Sequence, residues 1–211
     1  MKFVVKTLLL LTVGCALAAT TSSASATGNK SPKAKYQTAN VWAPPSPETR
    51  IGAAWLIREK QRIRGRIMSK VPSSGVPQTL WIVVFNNPAA CASSPCADTD
   101  IANPAVKASV FNGSGGISAS DGNGGSGVFN VDFDLPDNRL PDGLFLLVGN
   151  PKGLFPYRGF RAEVHLIFDE HPLPGPGETW IPDLTTTHFP GAGPNTTVAV
   201  AIFLGCRNNS K

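Results

Sequence analysis

The sequence lacks a hydrophobic run long enough to cross a membrane. Its longest apolar stretch is Leu8–Ala19, whereas a transmembrane helix needs about 20 predominantly apolar residues. We therefore expect no transmembrane span. Because Lys2 and Lys6 precede this stretch and Ala24-Ser25-Ala26 offers a small-residue cleavage site, the pattern predicts a signal peptide over residues 1–26.

A second cleavage pattern overlaps the signal peptide. Thr12-Val13-Gly14-Cys15 resembles the box of bacterial lipoproteins, although Thr12 stands where that box normally has Leu. In such proteins the cysteine is acylated and holds the chain at the membrane. We therefore expect a secreted or periplasmic protein, with a lipid anchor through Cys15 as the alternative.

The main part of the chain also lacks an excess of charge. The whole chain carries a formal net charge of +5, and the basic side chains that produce this excess precede residue 51. A nucleic-acid-binding domain needs clustered positive charge to displace counterions from phosphates. The sequence therefore predicts no nucleic-acid partner.

Motifs of common enzyme classes are missing as well. The sequence contains no G-x-S-x-G elbow, no HExxH motif and no G-x4-G-K-[ST] phosphate loop. Glu163 and Glu170 offer two carboxylates for acid–base chemistry, but without a known fold such a pair does not indicate a glycosidase. We therefore expect a non-catalytic protein.

Helix-forming stretches are few, whereas strand patterns recur. Glycine and proline, which interrupt helices, supply 21 and 19 of the 211 residues. Apolar or alternating segments bounded by turn residues are typical of strands; they are Ala53–Arg58, Arg62–Ile67, Leu80–Phe85, Ala105–Phe111, Gly116–Ser120, Gly127–Leu135, Phe160–Phe168 and Thr196–Leu204. They predict a single all-β domain over residues 51–211, an antiparallel β-sandwich or flattened barrel of roughly eight strands, after a flexible linker at 27–50.

The most apolar of these strands, Leu80–Phe85, has no polar position. Successive side chains of a strand point to opposite faces. We therefore expect Trp81, Val83 and Phe85 to be covered on one face of the sheet and the residues between them to be covered on the other.

Three connections are long for a compact domain: Asn86–Pro104, Pro136–Tyr157 and Pro172–Pro194. Loops of this length often carry function. The first contains Cys91 and Cys96, for which a disulfide is the expected state after export. A metal-binding or redox C-x4-C motif is the alternative. Cys206 has no assigned partner.

The start of the first loop supplies the candidate binding residues. Asn86 and Asn87 offer amide donors and acceptors at its base, and Asp98 and Asp100 offer carboxylates beyond the cysteines. A cross-linked loop on a fixed scaffold loses little entropy when it binds a ligand. The alternative is that the two asparagines only bond local backbone groups at the strand end.

The histidines are the candidate metal ligands. His165 lies within a predicted strand, His171 follows a turn, His188 lies in a loop, and Glu163 shares a face with His165. Several histidines with a carboxylate are a familiar ligand set for Zn or Cu. The spacing of six residues is a weak signal, and structural roles are the alternative.

Two further groups of charged residues offer weaker candidates. Acidic and polar side chains in turns suit Ca²⁺ or simply favour turns; besides Asp98 and Asp100 these are Asp121, Asn123, Ser126, Asp134, Asp137 and Asp142. Arg62, Arg64 and Arg66 project from one strand face and suit an anionic glycan or lipid phosphate. The alternative is cross-strand ion pairing with Asp132 and Asp134.

Several of these motifs together resemble a known family. They occur in the order Trp81–Pro88, Cys91-x4-Cys96, Asn103-Pro104-Ala105 and Ala162–Leu166 followed by His171. The set is similar to uncharacterised secreted proteins of bacteria over about residues 52–190. The resemblance implies an exported β-rich domain and no assigned activity. Family members carry a further cysteine pair after Thr185–Gly191, where this chain has only Cys206.

The sequence as a whole predicts a secreted, non-catalytic β-sandwich domain that binds a surface, a glycan or a protein partner. A small secreted Cu or Zn metalloprotein that uses His165 and His171 is the alternative.

Overall fold

The computed structural model describes residues 34–122, 125–140, 146–173 and 195–206. Its elements are β1 (Lys35–Ala43), β2 (Ser46–Glu59), β3 (Arg62–Val71), β4 (Pro77–Phe85), the 3₁₀ helices Pro88–Ala90 and Asp98–Ala102, β5 (Ala108–Ile117), β6 (Ala119–Ser120), β7 (Gly127–Pro136), β8 (Leu146–Gly149), β9 (Glu163–Glu170) and β10 (Thr196–Phe203). The predicted signal peptide and the lipoprotein-like sequence at Cys15 lie outside the described residues.

All ten strands form one antiparallel sheet. Their order is β6-β7-β3-β2-β1-β10-β9-β4-β5-β8, and the end strands β6 and β8 are not joined. Over the described ranges, no helix combines the length and the hydropathy that a membrane span requires. The prediction of an all-β antiparallel fold is confirmed, and the part of the chain that the structure describes contains ten strands where about eight were expected.

The expected linker over residues 27–50 is wrong from residue 35 onward, because this part forms β1 and the beginning of β2. The inward-facing residues of β1 include Gln37 and Ala39. Because one is polar and the other is small, the sequence does not show the alternation of large apolar residues that is typical of a strand. β1 is held by pairing with β2 on one side and β10 on the other. β8, which lies within the expected loop Pro136–Tyr157, is likewise a strand that the sequence pattern did not indicate.

The inner face of the sheet encloses the main apolar core, which includes Leu56, Ile67 and Leu166. Phe129 of β7 and Phe168 of β9 meet edge to face across this core, with ring centroids 5.0 Å apart. Four strands separate β7 from β9 in the sheet order. The sheet is therefore strongly coiled, and its inner side chains pack against one another as in a flattened barrel.

A fully buried cation closes one end of the core. Arg58 donates to the carbonyls of Gly159 and Ala162 at 3.0 and 2.8 Å. It also donates to the carbonyls of Phe203 and Leu204 at 3.2 and 3.3 Å. Burial lowers the pKa of Arg58 to about 10. Because a buried polar group without partners is costly, these carbonyls replace water and fix the end of β10 against β2.

The outer face of the sheet divides into two parts. Over β4, β5 and β9 it is covered by residues 86–106, and Trp81, Val83 and Phe85 are buried beneath that loop; we call this part the covered face. The alternate side chains of β4 lie in the main core, so both faces of β4 are covered, as predicted. Over β1, β2 and β3 the outward side chains are exposed or half-buried; we call this part the open face.

Candidate functional site

The loop that follows β4 is cross-linked by a disulfide between Cys91 and Cys96, whose Cα atoms are 5.4 Å apart. This confirms the predicted pair. Cys96 is buried against the covered face together with Val106. Among the described cysteines, Cys206 is a half-buried free thiol. The loop thus serves as a second small core on the outer side of the sheet.

Asn86 and Asn87 stand at the base of this loop and bond backbone groups. The buried Asn86 donates to the carbonyls of Lys107 and Gly153 and accepts from the amide of Phe155, over 2.7–2.9 Å. Asn87 donates to the carbonyl of Ala105 at 3.0 Å. Asn86 therefore uses its amide to join the loop to the segment around residue 153. It has no exposed surface to offer a ligand.

The two carboxylates beyond the disulfide differ in environment. Asp98 is exposed, whereas Asp100 is buried and accepts the amides of Ala92 and Ala97 at 2.9 and 2.8 Å. Each of these amides directly follows one of the two cysteines, so the Asp100 carboxylate holds the cross-linked turn in place. The structure thus places three of the four proposed binding residues, Asn86, Asn87 and Asp100, in hydrogen bonds within the loop and its base.

Asp100 and the two sulfur atoms form the one group of three metal-ligand side chains found among the described residues, with ligand atoms within 4.8 Å of one another. Each sulfur is bonded to the other, and a metal site of this kind needs thiolates. The group therefore acts as a cross-link, and the structure shows the disulfide form of the C-x4-C motif.

Glu163 and His165 face the loop from β9. The Nε2 atom of His165 lies 2.7 Å from Oε1 of Glu163, and the same oxygen accepts the amide of Cys96 at 2.7 Å. Both side chains are buried, and the ring of Phe85 contacts that of His165 edge to face. The pair fastens the disulfide loop to the sheet.

His171 lies at the other end of the covered face. Its Nε2 atom is 2.9 Å from the hydroxyl of Thr79, and burial lowers its pKa to about 4. Asp169, opposite Thr79 in the sheet, accepts the hydroxyl of Thr197 at 2.7 Å. Burial raises the pKa of Asp169. The two side chains are thus part of a buried polar group between β4, β9 and β10.

The structure does not bring His165 and His171 together. His165 is opposite Val83 in β4, whereas the ring of His171 contacts Thr79. Four residues of a strand span about 13 Å, and two nitrogens on one Zn ion lie within about 4 Å of each other. The two histidines thus do not share one ligand set in this structure, and a Cu or Zn site stays a prediction. His188 lies outside the described residues.

Asp121, Asp134 and Asp137, three of the acidic side chains proposed for Ca²⁺, have other partners. The hydroxyl of Ser126 donates to Asp121, and Asp137 accepts the amide of Tyr157 at 3.2 Å. Asp134 pairs with Arg62. Asn123 and Asp142 lie outside the described residues. These contacts fit the turn and ion-pair interpretation.

The arginine stripe of β3 is neutralised by cross-strand ion pairs. Arg62 pairs with Asp134 and Arg66 with Asp132, while Arg64 pairs with Glu59 at 2.6 Å. Hydrogen bonds from the arginines lower the pKa of both aspartates. The stripe is thus a solvated face of paired charges, as expected if these arginines serve in cross-strand ion pairing.

The open face carries accessible aromatic side chains that no motif indicated, among them the exposed Tyr36 and the half-buried Trp55. Trp55 is half-buried on β2, opposite Thr38 of β1 and Arg66 of β3. The guanidinium carbon of Arg66 lies 5.8 Å from the centroid of the indole ring. The row continues from Arg66 to Asp132 of β7, so one aromatic ring is flanked by polar groups on both sides.

Two shallow depressions meet at Trp55. The larger, of about 450 Å³, is lined by Thr38, Asn40, Arg50 and Trp55 among others. The smaller, of about 240 Å³, has the other side of Trp55, with Ile57, Arg64 and Asp132, in its lining. Ligand sites combine apolar and aromatic surface with a few placed polar groups, and Trp55 with its hydroxyl, amide and guanidinium neighbours offers this combination on an open surface.

The sequence carried a partial signal for this site. Trp55 falls within the predicted strand Ala53–Arg58. Because side chains alternate along a strand, Trp55 points to the face of the sheet opposite the buried Leu56. Nothing in the pattern shows that residue 55 faces solvent instead of a second layer. Thr38 and Asn40 fall in the segment expected to be a linker, so their place beside Trp55 depends on β1.

Comparisons with protein-family models, with curated proteins and with solved structures found no match to this chain. The resemblance to secreted bacterial proteins therefore stays a prediction that rests on the motifs themselves.

Proposed function

We propose that this protein is exported and that its β-domain, without catalysing a reaction, binds a glycan on the open face. The proposal depends on one observation above all, which is the position of Trp55 between two depressions whose linings combine apolar and polar side chains. The predicted signal peptide over residues 1–26 supports a secreted or periplasmic location, and retention through an acylated Cys15 is the alternative.

A half-exposed indole offers a broad apolar surface with a polar edge. Sugar rings present both C–H and hydroxyl groups, so a binding surface needs an apolar platform together with donors and acceptors around it. Thr38 and Asn40 supply a hydroxyl and an amide beside Trp55. Arg66 and Asp132 supply a paired guanidinium and carboxylate on the other side.

The covered face offers less to a ligand. Asn86, Asp100 and Glu163 are buried and hydrogen-bonded to backbone amides or carbonyls. Asp98 is exposed at the start of a 3₁₀ helix, but a lone exposed carboxylate does not form a site. We therefore place the glycan on the open face and assign the disulfide loop a structural role.

Glycan-array binding tests this function. The mature protein is compared with Trp55→Ala and with Tyr157→Ala, which removes an exposed aromatic ring outside both depressions. We expect binding to at least one glycan class, lost in Trp55→Ala and kept in Tyr157→Ala. Equal binding by all three proteins, or binding by none, contradicts the proposal.

N-terminal sequencing and intact mass of the exported protein test the location separately. Cleavage after Ala26 gives a mature chain that begins at Thr27. An acylated Cys15 at the new terminus, or an uncleaved Met1, contradicts the secreted form.

A further inference from the structure

We propose that Arg50 makes the open face selective for acidic glycans, because it offers its guanidinium to the carboxylate of a uronic acid next to Trp55. This inference rests on the proposed glycan-binding function and names the class of ligand. It depends on three features of Arg50: where a bulge directs its side chain, what charge it carries into the depression, and which groups lie around it.

A β-bulge directs Arg50 to the open face. In the pairing of β1 with β2, Val41 is opposite Gly52 and Trp42 is opposite Arg50, so Ile51 is passed over. Ile51 packs against the main core, whereas Arg50 is exposed and lines the larger depression together with Trp55. A bulge places one extra residue in a strand and re-aims the neighbouring side chains. Without it, alternation from Trp55 directs residue 51, not residue 50, outward.

The bulge is also fixed by its surroundings. A Cβ atom at Gly52 comes within 2.0 Å of the carbonyl oxygen of Met68 on β3. Only glycine allows β2 and β3 to approach so closely at this point. Residue 52 therefore anchors the strand directly beside the irregularity, and Arg50 is held at a defined place.

Arg50 brings unpaired charge into the site. Of the three arginines that line the depressions, Arg64 and Arg66 are paired with carboxylates. The described part of the chain gives Arg50 no ion pair; its Nε atom donates to the carbonyl of Gly52 at 3.1 Å. The two terminal nitrogens remain for a ligand. A guanidinium matches a carboxylate with two parallel hydrogen bonds.

The neighbours of Arg50 favour a sugar acid over other anions. Trp55 provides an apolar platform for the ring of the ligand, and Thr38 and Asn40 provide partners for hydroxyl groups in the same depression. A sugar ring that carries a carboxylate can pair with the guanidinium of Arg50 and pack on the indole of Trp55 at the same time. An acidic side chain of a peptide can pair with Arg50 but brings no sugar ring to pack on Trp55.

Affinity measurements with matched polymers test this assignment. The ligands are polygalacturonate, alginate and hyaluronan, each beside its carboxyl-reduced neutral form, with poly-L-glutamate as a non-sugar polyanion. The proteins are the wild type, Arg50→Gln, Trp55→Ala and Arg62→Gln. The last variant removes the same charge from the same face, but Arg62 lines neither depression.

We expect the wild type to bind at least one acidic polymer about tenfold or more tightly than its reduced form, since a hydrogen bond to a charged group contributes at least about that factor. Arg50→Gln removes this preference but keeps the weak binding of the neutral form. Arg62→Gln keeps the preference for the acidic form and the weak binding of the neutral form, and Trp55→Ala loses the two together. The preference of the wild type also weakens as salt concentration rises.

Other outcomes overturn the assignment. The role of Arg50 is contradicted if Arg50→Gln prefers acidic polymers over their reduced forms as strongly as the wild type does. It is also contradicted if Arg50→Gln and Arg62→Gln lose this preference to the same extent. Binding of neutral forms alone contradicts the acidic ligand but leaves glycan binding standing. Binding of poly-L-glutamate as tight as that of the acidic polymers shows recognition of charge alone. Absence of all binding contradicts both proposals.

Discussion

The covered face and the open face are parts of one outer surface, yet their polar residues have different roles. On the covered face, Glu163 and Asp100 are buried and accept backbone amides of the disulfide loop. On the open face, Arg66 and Asp132 remain in solvent beside Trp55. A long loop with a disulfide after an apolar strand can therefore be part of the core. The accessible polar side chains lie where none of the described loops covers the sheet.

The largest difference between the two faces should be found in stability. Phe85 is buried beneath the loop with 1% of its surface exposed, so Phe85→Ala leaves a cavity and lowers the free energy of unfolding by about 3–5 kcal/mol. Trp55→Ala on the open face should cost much less. Urea titration of both variants measures the contrast. A small effect of Phe85→Ala shows that the loop does not pack as a core.

The pH dependence of stability isolates the polar end of the covered face. Burial lowers the pKa of His171 from 6.5 to about 4, so between these values the unfolded chain binds a proton that the folded protein does not. The free energy of unfolding therefore falls as the pH falls from 6.5 to 4, by roughly 3 kcal/mol. Asp169, whose pKa is raised by burial, acts in the opposite sense as the pH falls through its folded pKa.

Urea titrations of wild type and His171→Gln at pH 7 and pH 4.5 separate the two contributions. The wild type should lose more stability than the variant over this interval, because the variant lacks the titrating ring. The same loss in both proteins shows that His171 is not the group responsible.

Removal of the disulfide should have a smaller effect. Closure of so short a ring by Cys91 and Cys96 stabilises the fold by about 2 kcal/mol in the chain-entropy model. Cys91→Ser with Cys96→Ser should lower the unfolding midpoint accordingly, and glycan binding by the open face should persist. A loss of binding with the fold intact shows instead that the loop belongs to the site.

The smallest effect should come from the exposed ion pairs. Arg66 and Asp132 are in solvent, where water screens their attraction. We expect Arg66→Gln, Asp132→Asn and the double variant to have nearly the unfolding midpoint of the wild type. A large coupling in this double-mutant cycle contradicts the description of the stripe as a solvated face.

The sequence predicts the strands that alternate clearly or are wholly apolar, such as β4 and β7, because burial alone decides those patterns. β1 is not predictable in this way, since its inward residues Gln37 and Ala39 derive their place from β2 and β10. Trp55 lies in a predicted strand, but its exposure depends on what covers that face. Arg50 lies on the same face as Trp55 only because the register shifts between β1 and β2. Such a shift depends on two strands and cannot be read from the sequence of one.

The position of β10 has a consequence for how the chain folds. In the sheet order, β10 alone links β1 and its neighbours to β9 and its neighbours, and the carbonyls of Phe203 and Leu204 at its end complete the bonding of Arg58. The two halves of the sheet therefore become continuous only when β10 pairs with both β1 and β9. Such distant pairings form slowly.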